Sequence, residues 1–248
     1  MRFAVLADIH GNWRALDAVL DDIARRGVDR ILNLGDSLYG PFDPAPVADR
    51  LLVAGWPAVL GNEDRCLVDA ADGAPASRTA RCTLDRLSAE HIAWLRALSR
   101  TLSIDPAAFA FHASPTDDAR YLLHEPRVDG RMHPRDPGDV AADLVDIDAP
   151  LILCAHDHLP RVIDLPDERT VVNPGSVGCP AYTDDQPIPH RVEMGSPHAR
   201  YAIIAGVAEG PLSIDLLSID YDWNSAAAEA DKNGFPDWAA WLATGHAA

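Results

Sequence analysis

Two histidines, His156 and His158, follow the apolar run 151–154 and are separated by a single aspartate. An apolar run of this length is typical of a buried strand, so both imidazoles stand just beyond a strand end. Residues two apart on an extended backbone point the same way, and the two rings could therefore face one site. The alternative is a pair of loop histidines that only form hydrogen bonds.

Five more side chains of metal-binding type follow other apolar runs in the same way. In open α/β sheets, ligands bind beyond the carboxyl ends of the strands, where residues far apart in sequence meet. A mixture of imidazole, carboxylate and amide donors suits Mn, Fe, Zn, Co or Ni better than Ca. These residues are Asp8 and His10 after the first apolar run, Asp36 after the second, Asn62 after the third and His112 at the end of AFAFH.

Seven donors are too many for one ion. Two ions about 3.5–4 Å apart would use all of them if one carboxylate bridged, and Asp36 is the natural bridge because it follows a central strand. Each residue also has an ordinary interpretation: Asp8 could cap a helix, Asp36 and Asn62 could belong to common turns, and His112 could be a hydrogen-bonded core histidine. Independent accidents would not place every such residue just past a strand, so the joint pattern predicts a metal centre.

The elements that position these residues alternate in the first quarter of the chain. RFAVLA, RILNL and WPAVL are typical of strands, whereas a helix is expected from Asn12 and another over VADRLLVAG, which ends at Gly55. This order predicts a mostly parallel sheet with covering helices. A helical middle is expected from about residue 64 to 98, with Ser88 as an N-cap, and a terminal helix over FPDWAAWLATG.

Short strands crowd the second half of the sequence: TLSI, AFAFHA, LILCA, RVIDL, TVV, RYAIIAGV and LSIDLLSID. Their short connections predict antiparallel pairing in a second sheet packed on the first. Two stretches, 114–137 and 179–199, are rich in Pro, Asp, His and Arg and are expected to be surface loops. We expect them to be insertions in a single domain of residues 1–248.

Composition limits the possible partners. The net charge of −17 and a pI near 4.7 argue against a general affinity for nucleic acid or acidic membranes. The four cysteines form no CxxC pair, which fits a reducing compartment and free thiols. No window approaches the roughly 20 apolar residues of a membrane span. We therefore expect a cytoplasmic protein.

The sequence DIHGN, GDSLYGP, GNED, FHASP and AHDH, in this order, resembles the motif series of the calcineurin-like metallophosphoesterases. The turn NPGS at 173–176 is similar to that of their small prokaryotic phosphodiesterase branch. The resemblance covers nearly the whole chain and implies an α/β fold, a four-layer α/β/β/α sandwich of two packed mixed β-sheets flanked by helices. It also implies a dinuclear centre with one metal held by Asp8, His10, Asp36 and His158, and the other by Asp36, Asn62, His112 and His156.

The activity that this resemblance implies is hydrolysis of a phosphodiester, or of a small phosphomonoester, by in-line attack of a metal-bridging hydroxide. Two divalent transition-metal ions, manganese first among them, would lower the pKa of a bound water and neutralise the phosphoryl oxygens. Asp36, Asn62 and Asp64 are the candidate catalytic residues. The expected partner is a small phosphate ester, without nucleic acid or membrane.

The motif GNED departs from the larger family, where many members read GNH followed by an acid. Glu63 stands at the position of the histidine that contacts the phosphate and assists the leaving group. A carboxyl with a raised pKa could protonate a leaving oxygen. Because small relatives also lack this histidine but keep the acid at Asp64, we expect Asp64 to orient a metal ligand and Glu63 not to be the general acid. Esters with good leaving groups should then be favoured.

Other residues could replace the missing histidine or hold a phosphate, although surface positions are the more ordinary interpretation. They are His124, His133 and His198 as acids, and Arg65, Arg120 and Arg161 as phosphate contacts.

Two other function classes are compatible with parts of the pattern. The retromer scaffold subunit of eukaryotes resembles the same branch, so a non-catalytic, metal-bound interaction scaffold is one alternative. The intact set of seven donors argues against it. A protein serine/threonine phosphatase would show GDxxDRG and GNHE, and neither motif is present.

Overall fold

The computed structural model describes residues 1–104, 107–206 and 211–247. Over these residues the chain forms thirteen strands and eight helices. The strands are β1 (Arg2–Leu6), β2 (Arg30–Asn33), β3 (Thr101–Ile104), β4 (Ala108–Phe111), β5 (His124–Pro126), β6 (Met132–Pro134), β7 (Leu151–Leu153), β8 (Arg161–Asp164), β9 (Thr170–Asn173), β10 (Ala181–Asp184), β11 (His190–Glu193), β12 (Ala199–Ala205) and β13 (Ser213–Ile219). The helices are α1 (Trp13–Arg26), α2 (Ala45–Ala54), α3 (Asn62–Ala71), α4 (Arg78–Leu84), α5 (Ala89–Ala97), α6 (Pro137–Asp143), α7 (Trp223–Lys232) and α8 (Pro236–Thr244).

Two mixed sheets form the centre of the fold. The first has the strand order β13-β12-β1-β2, with β1 parallel to β2 and antiparallel to β12. The second has the order β3-β4-β7-β9-β8, in which β4, β7 and β9 run parallel and the two outer strands run antiparallel. The parallel strands direct their carboxyl ends to one edge of the molecule, where the loops that follow them meet.

The alternation of side chains along β1 explains why the sheets lie between helices. Phe3 and Val5 pack against the second sheet, whereas Ala4 and Leu6 pack against the helical layer that contains α1. Both sets are fully buried, because successive side chains of a strand point to opposite faces. On the outer face of the second sheet, α6 covers a separate apolar cluster. The four layers are those expected from the sequence.

Helix α1 illustrates how local sequence places the loop that follows β1. The Asn12 side chain accepts a hydrogen bond from the Ala15 N–H, which caps the helix directly after the loop 7–11. Leu16, Val19 and Ile23 then recur at helical spacing and are buried against the first sheet. Capping and burial together fix the end of that loop.

Three expectations about the strands need correction. The last two strands do not join the second sheet: β12 and β13 extend the first sheet on the free side of β1. The pairs β4–β7 and β7–β9 are parallel rather than antiparallel. Parallel neighbours need a crossover connection, and this is made by the segment with α6 between β4 and β7 and by the segment with β8 between β7 and β9. The segment WPAVL forms only isolated bridges, to Asn33 and Ser99, and Val207 at the end of RYAIIAGV lies outside the described residues.

The stretches 114–137 and 179–199 were expected to be loops, and each contains a two-stranded antiparallel sheet. These are β5–β6 and β10–β11, with strands of only three or four residues. Strands this short leave little alternation of apolar and polar residues to detect in the sequence. Within the described ranges, no helix is long and apolar enough to cross a membrane.

Candidate metal centre

The seven residues singled out by the sequence lie together beyond the carboxyl ends of β1, β2, β4 and β7. His112 Nε2 lies 3.2 Å from Asp36 Oδ2 and 3.0 Å from Asn62 Oδ1. His158 Nε2 lies 3.5 Å from Asp8 Oδ1 and 3.2 Å from His10 Nε2. The four histidines and two aspartates are all buried, with no side chain more than 9% exposed.

Each of the four histidines is oriented by a backbone carbonyl. One ring nitrogen donates to that carbonyl, so in the neutral ring the other nitrogen carries a lone pair directed at the centre. This is how proteins fix the tautomer of a histidine that binds a metal. The pairs are His10 Nδ1 to Tyr39 O (2.8 Å), His112 Nδ1 to Leu34 O (2.7 Å), His158 Nδ1 to Cys179 O (2.7 Å) and His156 Nε2 to Ala119 O (3.0 Å).

The oxygen donors of the site are under-satisfied by the protein. Both carboxylate oxygens of Asp8 are buried without a hydrogen-bond partner among the described residues. The Asn62 side-chain amide lies 3.0–3.2 Å from Asp36, His112 and His156, and its NH2 group can donate to them. Buried polar atoms are nearly always paired, so the unpaired carboxylate of Asp8 fits a bound cation. The residues present therefore fit a divalent transition metal.

The donors fall into groups that share Asp36. Asp8, His10 and Asp36 offer donor atoms within 4.8 Å of one another, and so do Asp36, His112 and His156. A carboxylate that belongs to both groups is suited to bridge two ions. A further group combines His10 and His158 with Cys179, a residue that the sequence reasoning did not place near the centre.

Backbone strain is concentrated at the same residues. Of the six non-glycine residues with left-handed φ in the described part of the chain, five are Asp8, His10, Asp36, His156 and His158, with φ between 52° and 73°. Such conformations cost on the order of 1 kcal/mol or more each and persist where the surroundings enforce them. Here the enforcement includes backbone bonds between the loops, such as Asp8 N–H to Gly35 O and His10 N–H to Asp36 O, both 3.0 Å.

Burial and close charges shift the pKa values of the site in opposite directions. Burial lowers the pKa of His112, but the Asp36 carboxylate outweighs it and raises the pKa to about 10. For His10, burial is likewise outweighed by Glu63, and the pKa rises to about 9. Burial and the charge of His112 lower the pKa of His156 to about 4. Burial opposes ionisation of Asp36, yet its neighbours, His112 first, hold its pKa well below the usual range.

Asp64 contacts both the backbone beside Asp36 and the Asp36 side chain, which accepts from the Asp64 N–H at 3.4 Å. It has no exposed surface, and its carboxylate accepts from Ser37 N–H at 2.9 Å and from Gly61 N–H at 3.4 Å. These amides flank Asp36 and Asn62, and the buried carboxylate of Asp64 holds them in place. Burial and the Asp36 charge raise its pKa to about 7.

The NPGS turn supports the loop after β1. The Ser176 hydroxyl donates to Asp8 O at 2.8 Å, and Gly178 N–H donates to the same oxygen at 2.9 Å. Asn173 donates to Asp157, the aspartate between the two histidines of AHDH, at 2.7 Å. One short turn therefore links the Asp8 loop to the loop of His156 and His158.

The two stretches expected to be loops contribute a hydrogen-bonded aromatic chain that sequence reasoning missed. The Tyr121 ring stacks on His156, with centroids 4.7 Å apart, and Tyr182 packs edge-on against His158 at 4.7 Å. Their hydroxyls lie 3.1 Å apart, Tyr182 donates to His156 O at 3.2 Å, and His190 Nε2 contacts the Tyr121 hydroxyl at 2.9 Å. No sequence motif marks these three residues.

A cleft of about 290 Å³ opens over the centre. Its lining includes Asp36, Asn62, His10 and Glu63. Glu63 is 29% exposed, and its Oε2 lies 3.2 Å from His10 Nδ1. A second cavity, of about 480 Å³, adjoins the cleft at Asn62 and His156.

The other candidate acids and phosphate contacts are engaged elsewhere. Among the histidines, His124 pairs with Asp157, His133 with Asp129 and His198 with Asp220. Arg65 makes a bidentate pair with Asp118, Arg161 donates to Leu123 O and Arg135 O, and Arg120 pairs with Asp143 at the rim of the second cavity.

Comparison with known proteins agrees with this fold. Residues 1–188 match the calcineurin-like phosphoesterase superfamily domain, and the chain belongs to this superfamily of metal-dependent phosphoesterases. It is similar to an uncharacterised protein of Methanocaldococcus jannaschii, 24% identical over 263 residues, which cover 95% of this chain and 94% of that one. It also resembles the crystal structure of a metallophosphoesterase from Sphaerobacter thermophilus, with a TM-score of 0.76 and 24% identity; the match covers 99% of this chain and 100% of that one.

Proposed function

We propose that this chain hydrolyses a phosphodiester, or a small phosphomonoester, with two divalent transition-metal ions. One observation carries the proposal: four buried histidines, each oriented by a backbone carbonyl, converge on two aspartates, and one of these, Asp8, has no hydrogen-bond partner among the described residues. A purely structural cluster would pair these groups with each other. Manganese is the ion that we expect first.

The proposed ligands divide along the two groups that share Asp36. Asp8, His10, Asp36 and His158 would hold one ion, and Asp36, Asn62, His112 and His156 the other. When bound, such ions make a water molecule acidic enough to attack at neutral pH and neutralise the phosphoryl oxygens. Hydrolysis would add water to phosphorus in line, opposite the leaving oxygen; the P–O bond to the alcohol would break, and the alcohol would leave with a proton from that water.

The chain's own residues supply position rather than a strong acid. Asp36 Oδ1 accepts from Glu63 N–H at 2.9 Å, which holds the start of α3, and Asn62 with it, against the centre. Asp64 fixes the adjoining backbone. Glu63 faces the cleft but lies beside His10, which opposes the rise that burial causes in its pKa. A weak general acid favours esters with good leaving groups.

We also propose that the protein works in the cytoplasm on a small phosphate ester. Its four cysteines are all free, which suits a reducing compartment. Its net charge of −17 opposes binding to nucleic acid and acidic lipid.

The test is hydrolysis of an activated aryl phosphodiester by the full chain, stripped of metal and reloaded with manganese. Asp36→Asn should lower kcat/KM by at least about a thousandfold, because it removes the carboxylate that both groups share. The variant keeps an oxygen that accepts from Glu63 N–H, so the fold should persist, with a metal-free Tm within a few degrees of that of the metal-free wild type.

The matched control is Asp22→Asn. Asp22 is a buried aspartate that binds Tyr201 and Arg26 away from the centre. It should lose stability but keep its manganese-dependent turnover. Two bound ions per chain without turnover of any ester would contradict the proposal and favour the scaffold.

A further inference from the structure

Four aromatic rings line the cleft directly beside the centre. We call this part of the cleft the aromatic pocket; its members are Tyr39, Tyr182, Trp238 and Trp241. The Trp238 ring centroid is 5.6 Å from that of His10, and the Tyr182 centroid is 4.7 Å from that of His158. A group attached to a phosphate that is bound at the centre would therefore lie directly against these rings.

The charges around the aromatic pocket are negative. Glu63 and Asp184 line the same cleft, and no Lys or Arg lines it among the described residues. Glu63 Oε2 lies 3.2 Å from His10 Nδ1 and has no other partner within the part of the chain that the structure describes. Asp184 uses Oδ1 to accept from the Gln186 N–H, and it reaches the boundary between the two cavities.

The residues that line the second cavity do not offset the negative charge around the aromatic pocket. Arg120 and Arg135 line it, but both are bound to the single carboxylate of Asp143 at 2.7–2.8 Å. Asp117, Glu125 and Asp184 lie along the same walls. A substrate with extra phosphate groups would therefore find little positive charge outside the centre itself.

From these observations, and resting on the function proposed above, we infer that the substrate is a phosphate ester whose alcohol carries a substituted ammonium group, and that this cation binds in the aromatic pocket beside Asp184 and Glu63. Aromatic faces together with carboxylates are the chemistry that recognises quaternary ammonium groups. The same carboxylates would repel an additional anionic group.

The arrangement of the rings favours a compact cation over a flat base. Trp238 and Trp241 meet at 47°, Trp238 and His10 at 69°, and Tyr182 and His158 at 67°. A nucleobase needs a free ring face to stack in parallel. Trp238 is only 9% exposed and Trp241 is tilted from it by 47°, so the two rings do not form parallel faces that could sandwich a base, whereas inclined rings can surround a rounded group.

The inference is tested by binding without turnover. Choline, its neutral carbon isostere 3,3-dimethyl-1-butanol, and adenosine are titrated separately into the full chain loaded with Zn²⁺, a diamagnetic ion. Saturation-transfer NMR follows the methyl protons of choline and of the isostere and the base protons of adenosine, and calorimetry gives Kd. Choline should bind at least about tenfold more tightly than the isostere, which fills the same space without the charge.

Two pairs of variants locate the site. Trp241→Leu and Asp184→Asn should each weaken choline binding by about tenfold, while Trp241→Phe, which keeps a ring, should retain most of it. The controls are Trp56→Leu, in a separate groove with Val28 and Ile31, and Asp185→Asn, the exposed neighbour of Asp184. Neither control should change Kd.

Equal Kd values for choline and the isostere would overturn the inference, as would binding of adenosine alone or no binding of any probe. A separate assay with an aryl phosphodiester distinguishes these failures from failure of the proposed function. Hydrolysis of that ester without choline binding would leave the phosphoesterase standing and remove only the ammonium specificity. Choline binding without hydrolysis of any ester would leave the ammonium site standing and remove the phosphoesterase function.

Discussion

Asp36 has two opposing effects on the histidines around it. It lies 3.2 Å from His112, and its charge raises the pKa of that ring to about 10. A metal, however, binds only the neutral imidazole, so the carboxylate that attracts the cation also favours the proton that must leave. Proton and metal therefore compete for the same nitrogen.

This competition predicts that metal binding releases protons. At pH 7 His112, with a pKa of about 10, and His10, with a pKa of about 9, are protonated in the metal-free chain. About two protons should leave per chain at pH 7 when the centre fills. The apparent metal affinity should rise as the pH rises from 7 and level off above the higher pKa.

Calorimetric titration of Zn²⁺ in buffers of different ionisation enthalpy counts the released protons. In His133→Ala, the lost histidine pairs with Asp129 on the surface, so the proton count should not change. An affinity that is constant between pH 6 and 9 would contradict the assignment of His10 and His112 as ligands.

The sequence grouped seven residues that the structure brings together, because each one follows an apolar run and belongs to a local pattern. It could not show which atoms Asp64 contacts, since the amides of Ser37 and Gly61 come close to it only after folding. The left-handed backbone of Asp8 and His10 is likewise imposed by bonds to the neighbouring loop and not by their own preference.

At the scale of elements, the two hairpins β5–β6 and β10–β11 connect surface segments to the ligand histidines. Composition indicated loops because Pro, Asp and Arg dominate both stretches. Tyr121, Tyr182 and His190 are separated by up to 69 residues, and only the folded chain joins their side chains. The spacing of apolar residues and the composition of a segment carry no information about such contacts.

The hairpins lead to a prediction for Tyr182→Phe. The variant keeps the ring that packs on His158 but removes the hydroxyl that donates to His156 O and contacts Tyr121. Because His156 loses part of its support, Zn²⁺ affinity should fall by about tenfold, with a small change in Tm. Competition with a fluorescent chelator measures the affinity.

Tyr201→Phe is the matched control for that variant. Its hydroxyl is also buried and donates to Asp22 at 2.7 Å, away from the centre. It should cost stability and leave Zn²⁺ affinity unchanged. If both variants lower only the Tm, the tyrosine chain is a packing feature without influence on the metal.

For the molecule as a whole, the sequence predicted two packed sheets but not the membership of the last strands. β12 reads ARYAIIA and is buried almost throughout, which is typical of a strand covered on both faces, whereas β13 has no buried residue and lies at the edge of the sheet. These patterns describe the surroundings of a strand but not its partner. β12 pairs with β1 through contacts between the first residues of the chain and residues about 200 positions later, and no local pattern reveals such contacts.

The centre joins the two sheets at one edge, and this gives a prediction for global stability. Asp8 and Asp36 follow strands of the first sheet, whereas His112, His156 and His158 follow strands of the second. A ligand that binds only the folded chain stabilises it by about 2.7 kcal/mol at a concentration a hundredfold above its Kd. For a chain of this size, that corresponds to a rise in Tm of roughly 5–10 °C.

Thermal unfolding of the full chain with and without Zn²⁺ measures this rise, and hydrogen exchange shows where it acts. The rise should be absent in Asp36→Asn, and Ca²⁺ should produce a smaller one because imidazole-rich donor sets disfavour it. Since ligands come from both sheets, metal should slow exchange in β1 and β2 together with β4 and β7. Protection confined to a single ligand loop, with no change in Tm, would mean that the ion orders that loop alone and does not hold the two sheets together.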